Sequence, residues 1–510
     1  MSVTNRGLNK GQVEKLKIEE NHWNICAECK GRGKVSKRLR KKVRLRYQRE
    51  LEHFEKSNCE GIAPVRPKPH LDACSNCKGS GLIRSAIPSF VDGPDTENYP
   101  HLAIIGGGIG GVALAVACLH RGIPFTLYER DSGFDARSQG YGLTLQQASR
   151  AIEGLGIFSL EDGIISTRHV VHTTEGKVLG EWGIRKWVPS DERKLPTRTN
   201  VHIARQSLRL ALLEQLGGHD AVQWGHQLVD FKQSEGEGVD LSFQVDGEMK
   251  YAHADLVVGA DGIRSSVRQL LVGEDASPLN YLGCIVILGI CPLADLEDEG
   301  LDRTLLDSAT VFQTANGHER IYIMPYDADS VMWQLSFPMP EDEAKALSAQ
   351  GTKALKEEAL RRCQWHDPIP QILTATQEVM VSGYPVYDRA LLEPELLQQG
   401  ANVTLIGDAA HPMSPFKGQG ANQALLDALA LARVITKECR PLSKWREAGL
   451  RDRVLTEFET EMLERSAKKV KGSAEAAEFL HTDIVLHEGD EPRGRCLEKK
   501  VANEDEKNKE

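Results

Sequence analysis

The hydrophobic pattern of this 510-residue chain changes character at about residue 100. A short apolar run at residues 101–105 enters a glycine-rich turn and then an apolar helix, which is the order expected for a parallel α/β sheet. Beyond it the pattern predicts β-strands over about 165–250 interrupted by a helix at 206–216, β-strands over 281–340, a helix at 342–363, a strand–loop–helix unit at 402–436 and helices over 444–479. The two strand–helix units are therefore separated by β-rich sequence.

The first of these turns carries a nucleotide-binding pattern. The run IIGGGIGG places Gly106, Gly108 and Gly111 in the GxGxxG spacing, between a strand and a helix. The glycines permit a tight turn, close approach to a pyrophosphate and close packing of helix on strand. A second strand ends at Glu129, 18 residues after Gly111, where a carboxylate would accept hydrogen bonds from ribose hydroxyls. We predict a dinucleotide site that includes the adjacent Arg130; a structural glycine turn is the alternative.

Two distant stretches extend this prediction. DLVVGADGIRSSVR (255–268) and VTLIGDAAHP (403–412) each contain an apolar strand that ends at a carboxylate, Asp261 and Asp408. After Asp408 a glycine loop at 418–422 enters a long apolar helix. Such a carboxylate suits polyol hydroxyls, and such a helix start suits an anion such as the N1–C2=O edge of reduced flavin.

With these motifs in this order, residues 101–436 resemble the FAD-dependent aromatic hydroxylases, which include para-hydroxybenzoate hydroxylase and the tetracycline-inactivating enzymes. The resemblance implies an α/β fold with a Rossmann-like FAD-binding domain interleaved with a β-sheet substrate domain. It also implies that NAD(P)H and dioxygen are used to hydroxylate an aromatic or polycyclic small molecule through a flavin C4a-hydroperoxide.

Motifs and resemblance together assign a set of residues to FAD or NAD(P)H. These are Gly106, Gly108, Gly111, Glu129, Arg130, Arg137, Arg205, Asp261, Gly262, Asp408, Gly418, Gly420, Ala421 and Asn422. Arg205 precedes a helix where family members have an FAD-contacting arginine, and Arg137 matches an arginine linked to NADPH in the tetracycline-inactivating enzymes. An ordinary surface position is the alternative for both arginines.

No catalytic residue is assigned, because in such enzymes the cofactor carries the difficult step. Tyr141, Met324, Trp333 and Phe416 are candidates for the substrate wall, and core packing is the alternative for each. His411, beside Asp408, is interpreted as a residue that packs or bonds the loop.

The first 95 residues contain a repeated cysteine motif. CAECKGRG (26–33) and CSNCKGSG (74–81) share the pattern CxxCxGxG, so that Cys26, Cys29, Cys74 and Cys77 could complete a tetrahedral zinc site. The repeats resemble those of the DnaJ zinc-binding domain, with two repeats rather than four, which implies one zinc ion. A redox CxxC is the alternative, although no thioredoxin-like βαβ pattern surrounds either pair.

Composition and charge place limits on the function. With 40% hydrophobic and 27% charged residues the chain is an ordinary folded protein, and no export signal or apolar run long enough for a membrane span is found, so we expect a cytoplasmic protein. Residues 1–95 hold 20 lysines and arginines against 11 acidic residues, a balance of +9, whereas the remainder carries −19. A helix predicted over 35–56 includes a basic run at 37–46, which suggests a nucleic-acid or acidic protein partner, with a solvated helix face as the alternative.

These observations predict a domain order. The domains are a zinc-binding module with a basic helix at 1–95, an FAD-binding domain within 100–436 (about 100–165, 200–275 and 400–436) interleaved with a substrate domain (about 166–199 and 276–399), C-terminal helices at 437–486 and a charged, disordered tail at 487–510. Two other functions stay open, a flavoprotein scaffold whose zinc module recruits a partner, and reduction or epoxidation of an isoprenoid.

Overall fold

The computed structural model describes the greater part of the chain in two compact units. The described residues are 22–36, 38–57, 63–65, 67, 71–85, 93–136, 141–183, 200–234, 238–296, 303–439 and 445–495. One unit comprises residues 1–94 with 120–122, and the other comprises 95–119 with 123–510. None of the helices among the described residues combines the length and the apolarity that crossing a bilayer requires.

The described residues of the N-terminal unit form four short strands and one helix. Strand β1 (His22–Ile25) pairs antiparallel with β4 (Leu82–Ser85), and β2 (Lys34–Ser36) pairs antiparallel with β3 (Leu71–Ala73). Helix α1 (Lys41–Lys56) lies between β2 and β3 in the chain and has no buried residue. The helix predicted over 35–56 therefore begins later than expected, because its first residues pair in β2.

A five-stranded parallel sheet forms the centre of the larger unit. Its strands are β5 (Leu102–Ile105), β6 (Phe125–Tyr128), β12 (Val222–Gln223), β16 (Leu256–Gly259) and β22 (Val403–Leu405). Their order is β12–β6–β5–β16–β22, and every pairing is parallel. All residues of β5, β16 and β22 are buried, as the continuous apolar runs of a covered parallel sheet require.

The described part of the larger unit also contains helices, some of which pack against this sheet. The helices of the larger unit are α2 (Ile109–Leu119), α3 (Arg205–Gln215), α4 (Ser266–Val272), α5 (Glu341–Ala349), α6 (Thr352–Arg362), α7 (Ile369–Ala375), α8 (Pro394–Leu397), α9 (Gly420–Cys439), α10 (Trp445–Ala448) and α11 (Thr456–Phe479). Helices α2 and α9 pack against each other, and both are largely buried. The single helix predicted over 342–363 is two helices, because Gly351 between them adopts a φ of +89°.

A seven-stranded sheet forms the second layer. Its strands are β9 (Arg168–His172), β10 (Val178–Trp182), β17 (Leu279–Pro292), β18 (Thr310–Ala315), β19 (Arg320–Pro325), β20 (Ser330–Pro338) and β21 (Val381–Arg389). Their order is β10–β9–β18–β19–β20–β17–β21, and all pairings except β9–β18 are antiparallel. Alternate residues of β19 separate its two faces, since Ile321 and Ile323 enter the core formed with α5–α7, while Tyr322 and Met324 face a cavity.

Two three-stranded antiparallel sheets complete the fold. One contains β7 (Gly142–Leu145), β8 (Ile164–Ile165) and β11 (Val201–Ala204), and the other contains β13 (Gln227–Ser234), β14 (Gly238–Val245) and β15 (Glu248–Ala254). A parallel sheet interleaved in sequence with a β-rich layer confirms the predicted α/β class.

The C-terminal segment differs from the expectation of a disordered tail. Residues 487–495 are described and pack on β10, where Gly489 donates its N–H to the carbonyl of Leu179 at 2.9 Å. Gly180 allows this approach, since a Cβ there would lie 2.0 Å from the carbonyl oxygen of Gly489. The expectation of disorder was therefore wrong for this stretch, and residues 496–510 lie outside the described part.

Candidate functional site

The carboxyl ends of neighbouring parallel strands bring the three sequence motifs together. The N–H of Ala260 donates to the carbonyl of Ile105 at 2.7 Å, which joins the end of β16 to the end of β5. The N–H of Ile406 donates to Gly259 at 2.9 Å and joins the end of β22 to β16. Loops at this edge of a parallel sheet are where ligands bind in such folds.

The glycine loop after β5 has no room for side chains. Gly106 has a φ of +110°, and a Cβ on it would lie 2.5 Å from the carbonyl oxygen of Ala260. A Cβ on Gly111 would lie 1.9 Å from the carbonyl oxygen of Gly106. Gly108 is open, since the nearest atom to its Cβ position is an Nη of Arg205 at 3.8 Å. Two glycines thus hold the turn, while Gly108 leaves space between Arg205 and the start of α2. A helix N-terminus of this kind is suited to a phosphate group.

Glu129 closes the other side of this loop. Its Oε2 accepts a hydrogen bond from the N–H of Gly107 at 2.7 Å, and its Oε1 accepts one from Asp131 at 3.0 Å. Arg209, which the sequence did not single out, donates its Nε to the carbonyl of Gly107 at 2.7 Å. It lies one helical turn after Arg205, a spacing that could have indicated it. Arg130 is exposed.

Asp261 stabilises a helix. Its carboxylate accepts hydrogen bonds from the N–H groups of Ser266 at 2.7 Å and Val267 at 3.2 Å, and from the hydroxyl of Ser265. These donors form the N-terminus of α4, where a carboxylate is favourable. Burial nevertheless raises the pKa of Asp261 above its usual value. The adjacent Gly262, and not the Asp261 side chain, lines the cavity.

Asp408 is placed differently. Its carboxylate is open to the cavity and has no hydrogen-bond partner among the described residues. Its Oδ1 lies 3.5 Å from the Cβ position of Gly420, at the first residue of α9. Its position inside the protein raises the pKa of Asp408, although His411 and Arg205 oppose the shift. Such a carboxylate is available to hydroxyl groups of a ligand.

Arg268 connects the loops that carry the two aspartates. From α4 its Nη1 donates to the carbonyls of Ala409 at 3.0 Å and Ala410 at 3.1 Å, and its Nη2 bonds the hydroxyl of Ser277. Burial lowers the pKa of Arg268 to about 10, so it remains charged at neutral pH. It acts as a positioning residue for the Asp408 loop.

His411 belongs to the interior of this loop, as the sequence indicated. Its Nε2 lies 2.7 Å from Oδ2 of Asp427, which also accepts the N–H of Gly407 at 2.8 Å. Arg465 donates to the other oxygen of Asp427 at 2.8 Å. Burial would raise the pKa of Asp427, but His411 and Arg465 hold it below its usual value.

The start of α9 is fixed by Asn422. Its side-chain nitrogen donates to the carbonyls of Thr144 and Gly418, both at 2.8 Å. Its oxygen accepts the N–H groups of Gln146 at 2.8 Å and Ala148 at 3.1 Å. The Asn422 side chain is therefore fully used in joining α9 to β7, whereas Gly418, Gly420 and Ala421 line the cavity.

A cavity of about 1070 Å³ lies between the loops of the five-stranded parallel sheet and the seven-stranded sheet. The predicted cofactor residues that line it are Gly108, Arg205, Gly262, Asp408, Gly418, Gly420 and Ala421. Those that do not line it are Gly106, Gly111, Glu129, Arg130, Asp261 and Asn422. Arg137 lies outside the described residues. The three motifs thus meet at one cavity. Glu129 and Asp261 do not line it, and they accept hydrogen bonds from backbone N–H groups of the loops that do.

Three of the four candidate substrate residues line the cavity, and of these Met324 lies on the seven-stranded sheet. Tyr141, Met324 and Phe416 line the cavity. Trp333 does not, because its side chain is fully buried on the opposite face, where its Nε1 donates to the hydroxyl of Thr376 at 2.9 Å. Trp333 is therefore a core residue, which was the alternative to a position on the substrate wall.

The same wall carries polar residues that the sequence did not indicate. Gln313, Arg320 and Gln334 lie on adjacent strands and face the cavity. His169 and His202 also line it, and burial lowers the pKa of His169 to about 4 and that of His202 to about 3. Both imidazoles are therefore neutral at pH 7.

The N-terminal unit contains a separate cluster of four buried cysteines. The sulfur atoms of Cys26 and Cys74 lie 3.9 Å apart, those of Cys29 and Cys77 lie 3.7 Å apart, and all four lie within 4.8 Å of one another. Zinc–sulfur bonds of about 2.3 Å in a tetrahedron place sulfurs about 3.8 Å apart. The predicted ligands therefore fit one tetrahedral metal ion.

The two repeats around this cluster make matching hydrogen bonds. In each repeat the N–H of the last glycine, Gly33 or Gly81, donates to the sulfur of the second cysteine at 3.2 Å. The first cysteine of each repeat donates its N–H to the last glycine of the other repeat at 2.9 Å. Such N–H···S bonds stabilise thiolates and orient them toward a metal.

A family model described as "FAD binding domain" matches residues 100–446, more than half of the chain. The chain belongs to this family. The predicted relationship to the FAD-dependent aromatic hydroxylases is thereby confirmed, as is FAD as the cofactor at the level of the family.

Curated relatives include monooxygenases and epoxidases. The chain is 29% identical over 394 residues to a chloroplastic zeaxanthin epoxidase of Nicotiana plumbaginifolia, covering 73% of this chain and 54% of that protein. It is 29% identical over 341 residues to the aurachin C monooxygenase/isomerase of Stigmatella aurantiaca, covering 66% of this chain and 80% of that protein. The chain thus spans about half the length of the zeaxanthin epoxidases that it matches.

Among solved structures, the fold is similar to Klebsiella pneumoniae HpxO complexed with FAD and uric acid. The TM-score is 0.60 with 20% sequence identity, and the match covers 79% of this chain and 92% of that one. This similarity shows that the two proteins share a fold.

Proposed function

We propose that this protein is an FAD-dependent monooxygenase that uses NAD(P)H and dioxygen to hydroxylate an aromatic or polycyclic small molecule. The observation that carries the proposal is the single cavity in which Gly108, Arg205, Asp408 and the start of α9 face a wall of mixed aromatic and polar side chains. Bound FAD would supply the redox chemistry, taking a hydride from NAD(P)H and activating dioxygen.

The residues of this chain would bind and orient the cofactor. The N–H groups at the start of α2 would meet the pyrophosphate, Glu129 the ribose and Asp408 the polyol chain. The first N–H groups of α9, at Gly420 and Ala421, would favour a negative charge on the reduced ring system. No side chain of the described cavity wall is needed as a strong base, and the neutral His169 and His202 are suited to packing and hydrogen bonding.

The test is to measure bound FAD and the oxidation of NAD(P)H in air by the purified protein, with a panel of phenols, quinolones and polyketides. We expect a yellow protein whose NAD(P)H consumption is stimulated by one compound class, with a product heavier by one oxygen atom. A protein that rejects FAD, or that binds FAD without substrate-stimulated consumption across the panel, would contradict the proposal, and the second outcome would favour a scaffold role.

Epoxidation of an isoprenoid is a second candidate, since similar relatives are named zeaxanthin epoxidases. Product analysis separates the two, because an epoxide lies across a former carbon–carbon double bond and a phenol lies on a ring. The use of NAD(P)H, a cytoplasmic location and a partner for the basic N-terminal helix are predictions from the sequence, which indicates no preference between NADH and NADPH.

We further propose that Cys26, Cys29, Cys74 and Cys77 bind one zinc ion. The support is the four buried sulfurs at distances that suit a ZnS₄ tetrahedron. Metal analysis should give one zinc per chain, and Cys29→Ser or Cys77→Ser should each lower that content strongly. Cys118→Ser is the matched control, because that buried cysteine lies outside the cluster. Full zinc content in both cluster variants would refute the assignment.

A further inference from the structure

The side chains that line the cavity carry an excess of positive charge. Of the acidic residues in the part of the chain that the structure describes, Asp408 alone lines the cavity, and it belongs to the cofactor loop. Several lysine and arginine side chains line the same space. Arg205 lies beside the glycine loop proposed for the pyrophosphate of FAD, so the phosphates of FAD account for only part of this charge.

Three lysines share one region of the cavity. Lys417 directly precedes Gly418 of the loop that enters α9, Lys468 and Lys469 lie on α11, and all three line the cavity. The ammonium group of Lys417 lies against α11 at Gly472, where a Cβ would be 2.9 Å from its Nζ. Gly472 is one helical turn after Lys468 and Lys469, so the three residues form one group, which we call the lysine cluster.

The lysine cluster has no acidic partner. Among the residues that the structure describes, no carboxylate oxygen lies within 4.0 Å of any of its three ammonium nitrogens. By contrast, Lys471 of the same helix pairs with Glu475 at 4.0 Å. Lys417 and Lys468 are exposed and Lys469 is half-buried, so the cluster is open to a ligand from solvent. Like charges held close together repel, and a ligand with several negative charges would offset this repulsion.

The position of the lysine cluster indicates which anion it would bind. The pyrophosphate of FAD is proposed to lie at the start of α2, on another element, whereas Lys417 adjoins the loop proposed for the flavin ring. A second phosphate-bearing molecule that approaches the flavin would therefore meet the cluster. The proposed function requires such a molecule, since NAD(P)H must bring its nicotinamide ring to the flavin and carries its phosphates away from that ring.

We propose that Lys417, Lys468 and Lys469 bind the phosphate groups of the hydride donor, and that the donor is NADPH rather than NADH. The additional phosphate of NADPH supplies the negative charge that three unpaired ammonium groups can accept. This inference rests on the proposed function, because it places the donor beside the flavin. Lysine binds phosphate as a mobile point charge, which suits a donor that must leave after its hydride has passed to the flavin.

The test compares three donors with the same reactive ring, which are NADPH, NADH and reduced N-benzylnicotinamide, a donor without phosphate. The rate of flavin bleaching in the FAD-loaded protein without oxygen is measured against donor concentration. We expect the wild type to be half-saturated by NADPH at a concentration about tenfold or more below that of NADH, as two or three additional exposed ion pairs imply. In the double variant Lys468→Gln/Lys469→Gln this difference should disappear through weaker binding of NADPH. The rate with reduced N-benzylnicotinamide should change much less, and Lys417→Gln should remove part of the difference.

A binding measurement without turnover supports the same comparison. Titration calorimetry of NADP⁺ with the FAD-loaded protein should show the same loss of affinity in the double variant. Added salt should weaken binding to the wild type more than to the double variant, because exposed charges are screened.

Lys471→Gln is the matched control. It removes a lysine of the same helix whose side chain is 81% exposed and does not line the cavity, and we expect unchanged constants for all donors. FAD content and melting temperature should be the same in every variant, since the lysines of the cluster have no acidic partner to lose among the described residues.

The proposal is overturned if the wild type does not distinguish NADPH from NADH, if the double variant keeps the preference, or if Lys471→Gln loses as much of it. These outcomes leave the monooxygenase assignment standing. A wild-type flavin that neither NADPH nor NADH reduces defeats that assignment, and this proposal with it.

Discussion

Two neighbouring strands of the parallel sheet, β16 and β22, both end in an aspartate, and the two carboxylates have different surroundings. Asp261 accepts hydrogen bonds from the N-terminus of α4 and does not line the cavity. Asp408 faces the cavity without a partner among the described residues. One carboxylate is used by the fold, and the other is exposed to the cavity, where we propose that it binds FAD.

The difference follows from the distance along the chain to the next helix. Helix α4 begins at Ser266, five residues after Asp261, so its first N–H groups lie within reach of the carboxylate. Helix α9 begins at Gly420, twelve residues after Asp408, and a long loop intervenes. Equal strand-end patterns therefore produce a helix cap in one case and a ligand-facing group in the other.

The largest effect is expected where the two loops are joined. Arg268→Gln removes the donors for Ala409, Ala410 and Ser277 and leaves these buried acceptors unpaired. We expect the free energy of unfolding to fall by about 3–5 kcal/mol and FAD affinity to fall with it. Urea unfolding and FAD titration measure the two effects. Unchanged FAD affinity in a destabilised variant would show that Arg268 does not position the Asp408 loop.

Asp408→Asn should separate binding from folding. We expect FAD affinity to fall about 10- to 100-fold, which equals about 1.4–2.7 kcal/mol, because a carboxylate acceptor for hydroxyl groups is lost. The protein without FAD should be as stable as the wild type or more stable, since the pKa of Asp408 is raised by its position and the charge is unfavourable there. A loss of apoprotein stability would mean that Asp408 is structural, like Asp261.

Asp261→Ala should show the opposite pattern. Its removal leaves the N–H groups of Ser266 and Val267 without their acceptor, and we expect a loss of about 1–2 kcal/mol of unfolding free energy. Asp261→Asn keeps one acceptor oxygen and should recover part of the loss. FAD affinity, measured at a temperature where both variants are folded, should change much less than in Asp408→Asn. Equal losses of affinity in the two variants would break the comparison.

Lowering the pH should change stability in opposite directions through His202 and through the two aspartates. Burial lowers the pKa of His202 to about 3, whereas an unfolded histidine titrates near about 6.5. Below that value the unfolded chain binds the proton and the folded chain does not. The free energy of unfolding therefore decreases as the pH is lowered below about 6.5, by up to about 1.4 kcal/mol per pH unit for one such residue.

The aspartates act in the other direction, because a raised carboxyl pKa lets the folded state bind protons first. The melting temperature should be lower at pH 5 than at pH 7. This decrease should be smaller in His202→Gln than in the wild type, and it should not be smaller in Asp408→Asn. A loss of equal size in His202→Gln would contradict the assignment to this histidine.

The strand ends were predictable because their signals are local. Strand β6 ends directly before Glu129, as predicted, and Gly106 and Gly111 lie where any Cβ would meet backbone atoms. The four cysteines were predictable from the repeated octapeptide alone, and the structure brings them together.

The roles of single side chains were less accessible, because they depend on contacts distant in sequence. Asn422 joins α9 to β7 across some 276 residues, and Arg268 reaches Ala409 across 141. Arg320 was missed since an arginine at the start of an apolar strand is common, and only the pairing of β18, β19 and β20 shows that it faces a cavity beside Gln313.

The central claim is that the ends of β5, β6, β16 and β22 hold one FAD whose ring system faces the cavity. The most direct measurement is the flavin spectrum of the purified protein during anaerobic addition of NAD(P)H followed by air. We predict one FAD per chain, bleaching by NAD(P)H and recovery of the oxidised spectrum with oxygen. A protein that binds no FAD, or whose bound FAD neither NADH nor NADPH can reduce in the presence of aromatic compounds, would contradict the account.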